Sequence, residues 1–383
     1  MSEASVTSQQ PSAAGLEGVV VAESEISYVD GQAGRLVYRG YAIEELAERS
    51  TFEETSKLLL DGELPDETEL ARFRAALAAE RSVDERTLAA IRAFPADAEP
   101  MAALRTAVSA LGLVDPDRGD DGPEATRRRA IRLIAGLPAI VAAFDRARRG
   151  EDPVAPRAEL GHAASFLHQL RDEVPDPEDA RILDVCLILH AEHGMNASTF
   201  SARVTAATLA DIHSAVTSAI GTLKGPLHGG ANQEVMNMLL EIDATGIEPA
   251  AHVRELLAAG KKVMGFGHRV YRTMDPRAPI LRRFSKSLGE RSGDPRWYRM
   301  SEEILETMRA EKGIDPNVDF FSASTYHALG IPADLFTAIF AIARISGWAA
   351  HVEAQYARNR LIRPRAKYVG KRDLAYVPID ERG

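Results

Sequence analysis

From residue 43 almost to its end, this chain repeats apolar residues three and four positions apart, and that period narrows its possible folds more than any other feature. "IEELAERS", "TFEETSKLLLDG", "ETELARFRAALAAE" and "MAALRTAVSALG" all follow it, and glycine or proline closes several of them. Further helices are expected over 180–189, 197–209, 212–223, 234–241, 251–259, 279–288 and 297–312, with a long one over 334–358. "DPDRGDDGPEATR" (115–127) reads as an acidic loop between helices. Strand chemistry is confined to "EGVVVAESEISYVDGQAGRLVYRGY", where β-rich runs at 19–22 and 36–39 flank a turn. The expected fold is therefore mainly α, with a small β element near the N-terminus.

With 383 residues, the chain is too long for one small core and implies two domains or one elaborate one. A net charge of -10 argues against a nucleic-acid binder. The single cysteine, Cys186, lies in "ILDVCLIL", where a buried, inert thiol is expected. No apolar run approaches the roughly 18 to 20 residues that span a bilayer, so no membrane partner is expected. Residues 1–14 carry neither the basic and apolar regions of a secretory signal nor the arginines of a transit peptide. They read as a disordered tail on a cytoplasmic protein.

Polar clusters interrupt the apolar helices. "LHAEHGMNAS" sets His190 and His193 one turn apart, a spacing open to metal binding, packing or substrate contact. The HExxH pattern of zinc proteases is absent and no third ligand is evident, so no metal is expected. "GPLHGGAN" presents His228 among glycines just ahead of a helix, either as an incidental turn residue or as a neutral donor to a carbonyl. "KKVMGFGHRVYRTMDPRAPILRR" (261–283) holds seven Lys or Arg against one acid, which suits either an anion site or a solvated basic face. In "NVDFFSASTY", Asp319 is a turn or cap aspartate, or a carboxylate whose apolar company raises its pKa toward that of a general base. Arg344, in the apolar "FAIARISGW", needs an anion from the protein or from a ligand.

Together, "GLEGVVVAESEISYVDGQAGRLVYRGY", "HAEHGMNASTF", "GPLHGGANQEV", "GFGHRVYRTMDPRA", "PNVDFFSASTY" and "RLIRPRAKYVG" resemble the citrate synthase family in order and spacing over most of the chain. That resemblance implies condensation of acetyl-CoA with oxaloacetate, then hydrolysis of citryl-CoA, without a cofactor. It also implies a helical homodimer with a large domain from residues 15–220 and 325–383. A small domain would occupy 221–324, with the active site in the cleft between them.

By resemblance, Asp319 is the base, His228 holds the thioester carbonyl, and His268 polarises and protonates the oxaloacetate carbonyl. His193, Arg277 and Arg344 bind oxaloacetate, and Arg363 reaches in from the other subunit. Lys262, Val263, Met264, Gly265, Gly267, Arg272 and Asn317 correspond to coenzyme A contacts. A 2-methylcitrate synthase acting on propionyl-CoA would keep all these groups. A metal-dependent hydrolase built on His190 and His193 and a non-catalytic helical interaction protein are the more distant alternatives.

Overall fold

Polar side chains set where many of the helices begin. Asp66 accepts from the Glu69 N–H while the Glu69 carboxylate accepts from the Asp66 N–H. Thr51, Asp84, Asp176, Asn196, Asp211 and Asn317 each accept from a first-turn N–H of the helix that follows. A computed structural model describes residues 14–268 and 270–382; of the tail expected over residues 1–14, residues 1–13 lie outside the described residues, and Ala14 opens a short turn, Ala14–Leu16.

The sheet is an antiparallel meander of β1 (Ser27–Asp30), β2 (Arg35–Tyr38) and β3 (Tyr41–Ala42). Ser27 pairs with Tyr38 and Asp30 with Arg35 across β1 and β2. The helices begin with α1 (Ile43–Arg49), α2 (Phe52–Asp61), α3 (Glu67–Ala79), α4 (Glu85–Arg92) and α5 (Pro100–Val114). There follow α6 (Pro123–Arg148), α7 (His162–Arg171), α8 (Pro177–His190), α9 (Ala197–Ala206) and α10 (Ile212–Leu223). The last six are α11 (Ala231–Thr245), α12 (Pro249–Ala258), α13 (Ala278–Ser292), α14 (Arg296–Lys312), α15 (Val318–Ala328) and α16 (Phe336–Ala357).

The architecture is mainly α, as the periodicity predicts, but the strand expected over 19–22 does not form. Val19–Ala22 has no strand partner, and Val20 is 86% exposed. The strand that pairs with β2 is the next run, Ser27–Asp30, because the turn at Gly31–Gly34 sets that register. The acidic loop is also shorter than expected. Helix α6 starts at Pro123 and returns Arg128 and Arg132 to Asp117 and Asp115.

Helix α16 is the hub, with α2, α6, α8, α9 and α10 packed around it. The segment Ala333–Ala357 is long and apolar enough to cross a membrane, contrary to the count from sequence, which Arg344 interrupts. Its most apolar window is wholly covered by protein, so it serves as a core helix. Each large apolar side chain buried there contributes on the order of 1.5 to 3 kcal/mol. Cys186 is buried as expected, and burial pushes its thiol pKa up. Helices α11 to α15 pack largely on one another, through α13 on α15, α11 on α15 and α12 on α14. The polar clusters meet where that group faces α8, α9 and α16.

Candidate active site

Three histidines approach this junction from separate turns, and backbone groups fix the tautomer of two of them. The Ser198 N–H, at the start of α9, donates to His228 Nε2 at 3.2 Å. A backbone N–H can only donate, so Nε2 is unprotonated and the ring proton sits on Nδ1. Ser198 Oγ lies 2.8 Å from the same Nε2 and accepts from Trp348 Nε1 at 3.1 Å. His268 is held the other way round. Its Nδ1 accepts from the Val270 and Tyr271 N–H groups at 2.9 and 3.1 Å, so its proton is on Nε2.

Both rings are kept neutral. Burial, then the nearby Arg344, lowers His228 to about 4. Burial, then Arg277, lowers His268 to about 4. His193 lies with its ring centroid 5.2 Å from that of His268, and its Nε2 is 3.2 Å from Tyr271 Oη. Burial, Arg277 and His268 hold it well below its ordinary value. His190 belongs to the wall of the site: its Nδ1 meets the Cys186 carbonyl at 2.8 Å and its ring packs edge-on against Phe340.

Arg344 is buried, and among the described residues no carboxylate lies within ion-pair distance of it. Its Nε donates to the His190 carbonyl at 2.8 Å and its guanidinium lies 4.7 Å from the Phe340 ring centroid. Burial pulls it down to about 10. A guanidinium so placed calls for a carboxylate from outside the chain.

Arg277 is partly committed within the protein. Its Nε and Nη2 are already bound to Asp275, at 2.9 and 2.7 Å. Only Nη1 is left largely uncommitted, with one long contact of 3.5 Å to the Leu189 carbonyl. Asp275 also accepts from the Val318 N–H at 3.2 Å, which joins Arg277 to the start of α15.

Asp319 is in that first turn, but the capping role falls to Asn317, whose side chain accepts from the Asp319 N–H at 3.0 Å. Asp319 Oδ1 is buried without a hydrogen-bond partner. Burial raises its pKa to about 7, against the opposing pull of Arg277 and Arg344. A carboxylate in this state is a base matched to neutral pH.

The "GFG" turn is locked beside it. Phe266 bridges to Pro316, the Asn317 N–H donates to the Gly265 carbonyl at 2.9 Å, and Asn317 Nδ2 donates to the Gly267 carbonyl at 2.9 Å. Gly265 has φ +82°, and a Cβ there would sit 2.8 to 2.9 Å from Val235 and Phe320. Lys262 and Arg272 are exposed at the rim. Val263 is buried in the core, which leaves a ligand only its main chain. Arg363 is not brought to the site: it lies in the exposed segment after α16.

A family model described as citrate synthase, C-terminal domain, matches residues 15–365. The chain belongs to the citrate synthase family. Over 372 residues it is 52% identical to the citrate synthase of Haloferax volcanii, covering 96% of this chain and 98% of that protein. It is 45% identical over 359 residues to the 2-methylcitrate synthase of Mycobacterium tuberculosis, covering 93% and 90%. The citrate synthase of Thermoplasma acidophilum, solved as a ternary complex with carboxymethyl coenzyme A and oxaloacetate, superposes with a TM-score of 0.90 at 33% identity, covering 98% of this chain and 100% of that one.

Within this citrate synthase fold, several functional groups escaped the sequence. Ser198 meets His228 through both its N–H and its Oγ, a contact across thirty residues that a serine in a helix start does not announce. Asp275 showed only as the lone acid in a basic run. Glu192, buried beside His193, accepts from Ser27 Oγ and lies 3.1 Å from His351 Nε2. Nothing in its neighbourhood in sequence marks that role.

Proposed function

We propose that Asp319, His228 and His268 carry out a citrate synthase reaction, condensing acetyl-CoA with oxaloacetate and hydrolysing the product thioester. The observation that carries the assignment is Asp319 Oδ1, buried and unpartnered and acted on by Arg277 and Arg344, the same two guanidinium groups that act on the neutral, tautomer-fixed rings of His268 and His228. Asp319 takes a proton from the acetyl methyl while His228 Nδ1–H donates to the thioester oxygen, giving the enol. The enol C=C electrons form the bond to the keto carbon of oxaloacetate as the thioester C=O re-forms and the enol proton returns to His228 Nδ1. His268 Nε2–H gives its proton to the oxygen of that carbonyl as the carbonyl π bond breaks. Water then cleaves the citryl thioester, leaving citrate and the free thiol.

His193, Arg344 and the free edge of Arg277 bind oxaloacetate in this reading. The 262–267 turn, Arg272 and Asn317 meet coenzyme A. The small domain occupies residues 221–324 in this reading, and α15, Val318–Ala328, spans its far boundary. A homodimer completes the site, with Arg363 supplied by the second copy. In support, Leu361, Tyr368, Val369, Leu374 and Tyr376 are 57 to 86% exposed along an arm that a second copy would cover.

The test is thiol release that requires both substrates and yields citrate, with Asp319→Ala inactive. Asp319→Ala turning over near the wild-type rate would overturn the assignment of the base. The likeness to a 2-methylcitrate synthase favours a second reading, with propionyl-CoA as the donor. One methylene is worth only about 1 to 3 kcal/mol of discrimination, so the ratio of kcat/KM for the two thioesters decides it.

A further inference from the structure

The β1–β2 hairpin touches both loops that carry the oxaloacetate-facing histidines. At its base, Ser27 Oγ donates to Glu192 Oε1 at 2.9 Å and accepts from the Gly194 N–H at 3.1 Å. Tyr38 Oη donates to the Glu192 carbonyl at 2.7 Å and accepts from the Glu192 N–H at 3.1 Å. The residues on either side of His193 are therefore both tied to the sheet.

At its tip, the Arg272 N–H donates to the Gly31 carbonyl at 2.8 Å. Gly31 lies directly against the Val270 carbonyl: a Cβ built there would overlap Val270 O and lie 2.8 Å from Val270 C. At Gly34 an added Cβ would sit 2.6 Å from Thr273 Oγ1. Asp30 Oδ1 shapes this tip by accepting from the Gln32 and Ala33 N–H groups at 3.0 and 2.9 Å.

The peptide between Val270 and Tyr271 is the critical one. Its C=O rests on Gly31 and its N–H donates to His268 Nδ1. In a planar trans peptide those two groups point in opposite directions, so the surface that seats one aims the other.

We propose that the N-terminal hairpin is a jig for the His193–His268 pair, and that Gly31 is a positioning residue that fixes the tautomer of His268. Any side chain at position 31 pushes back Val270, whose own N–H and that of Tyr271 both bond Nδ1, and so weakens the two bonds together. The ring proton then redistributes to Nδ1, and Nε2 becomes an acceptor that cannot protonate the oxaloacetate oxygen. The inference rests on the role given to His268 above.

The experiment compares full-length wild type, Gly31→Ala and Gly40→Ala. Gly40 lies at the β2–β3 turn with φ +95°, and a Cβ there meets nothing within 4 Å, so it strains the same sheet without touching the 270 loop. Gly31→Ala should lower kcat by about tenfold or more, a partial loss of general acid assistance, with KM for acetyl-CoA within about threefold of wild type. Nitrogen-15 spectra of histidine-labelled enzyme should show His268 passing from one tautomer, protonated at Nε2, to a mixture. Gly40→Ala should lower Tm while leaving kcat and the His268 signals unchanged.

A folded Gly31→Ala enzyme with wild-type kcat and an unchanged His268 tautomer overturns the inference. So does a Gly40→Ala enzyme that loses as much kcat as Gly31→Ala. Should Gly31→Ala fail to fold, Asp30→Ala decides, since it only loosens the tip. A smaller fall in kcat with tautomer mixing supports the jig, and no change in either overturns it. Wild-type enzyme without oxaloacetate-dependent thiol release would instead overturn the citrate synthase reading, which the tautomer measurement does not depend on.

Discussion

Asp319→Asn should abolish turnover and at the same time stabilise the protein above neutral pH. Raising a carboxyl from its ordinary 3.8 to about 7 means that the native state disfavours the ionised form. At about 1.4 kcal/mol per pH unit, that is a cost of about 4 kcal/mol once the group is fully charged. The unfolded chain releases this proton near 3.8 and the native chain near 7, so the native state holds more protons between those values. Stability conferred by the neutral acid is therefore present below 3.8 and falls as pH rises toward 7. Asparagine cannot ionise, so it removes the cost, less whatever its buried amide leaves unpaired. A net gain of about 1 to 3 kcal/mol at pH 8, vanishing near pH 4, is expected. Urea unfolding of both proteins at pH 4, 6 and 8 measures it, and thiol release at pH 8 reads the activity. An Asn variant no more stable than wild type at pH 8, or one that still turns over at the wild-type rate, would refute the account of Asp319 as a charge held against its environment.

Arg344→Met should raise the stability of the empty enzyme, because it removes a buried cation with no carboxylate partner, while oxaloacetate affinity falls by about 2 kcal/mol or more. Calorimetric titration and Tm read the two effects separately, and loss of both affinity and stability would contradict it. Mixing inactive Arg363→Ala with inactive Asp319→Ala subunits, unfolded and refolded together, should restore about a quarter of the wild-type sites, since only the mixed dimer assembles one intact site. No recovery would show that Arg363 does not act across a dimer. His228 should stay neutral down to about pH 5 in a proton or nitrogen-15 NMR titration, and a charged ring at pH 7 would contradict the fixed tautomer.

What the sequence disclosed follows from where contrast exists along the chain. Helices with one wet face, such as α3 and α14, announce themselves by period. Leu133–Arg146 of α6 and Phe320–Tyr326 of α15 are buried on every side and carry no apolar stripe to detect, whereas α8 and α16, as fully enclosed, show in the sequence through the length of their apolar runs. The valines at 19–21 mimic a strand because β-propensity says nothing about whether a partner is in reach. In the site, a glycine turn, a basic run and apolar company marked His228, His268 and Asp319 as candidates, and only the resemblance gave them roles. The commitment of Arg277 to Asp275 and the seat of Val270 on Gly31 were not legible, since each depends on geometry that residue types leave open.

The charges around Asp319 also bear on when it becomes a base. Arg277 and Arg344 both pull its pKa down while burial pushes it up, and the balance without substrate lies at about 7. A dicarboxylate that neutralises those guanidinium groups removes the downward pull and adds negative charge of its own. Burial is then left less opposed, and the carboxylate becomes a stronger base only after the electrophile has arrived. Such ordering keeps the acetyl methyl from being deprotonated, and the thioester from being wasted, in a half-filled site. It has a kinetic signature. The acid limb of kcat/KM for oxaloacetate, which reports the free enzyme, should fall near pH 7, while the corresponding limb of kcat, which reports the filled enzyme, should lie higher. Coincident limbs would mean that the arginines bind oxaloacetate without tuning the base.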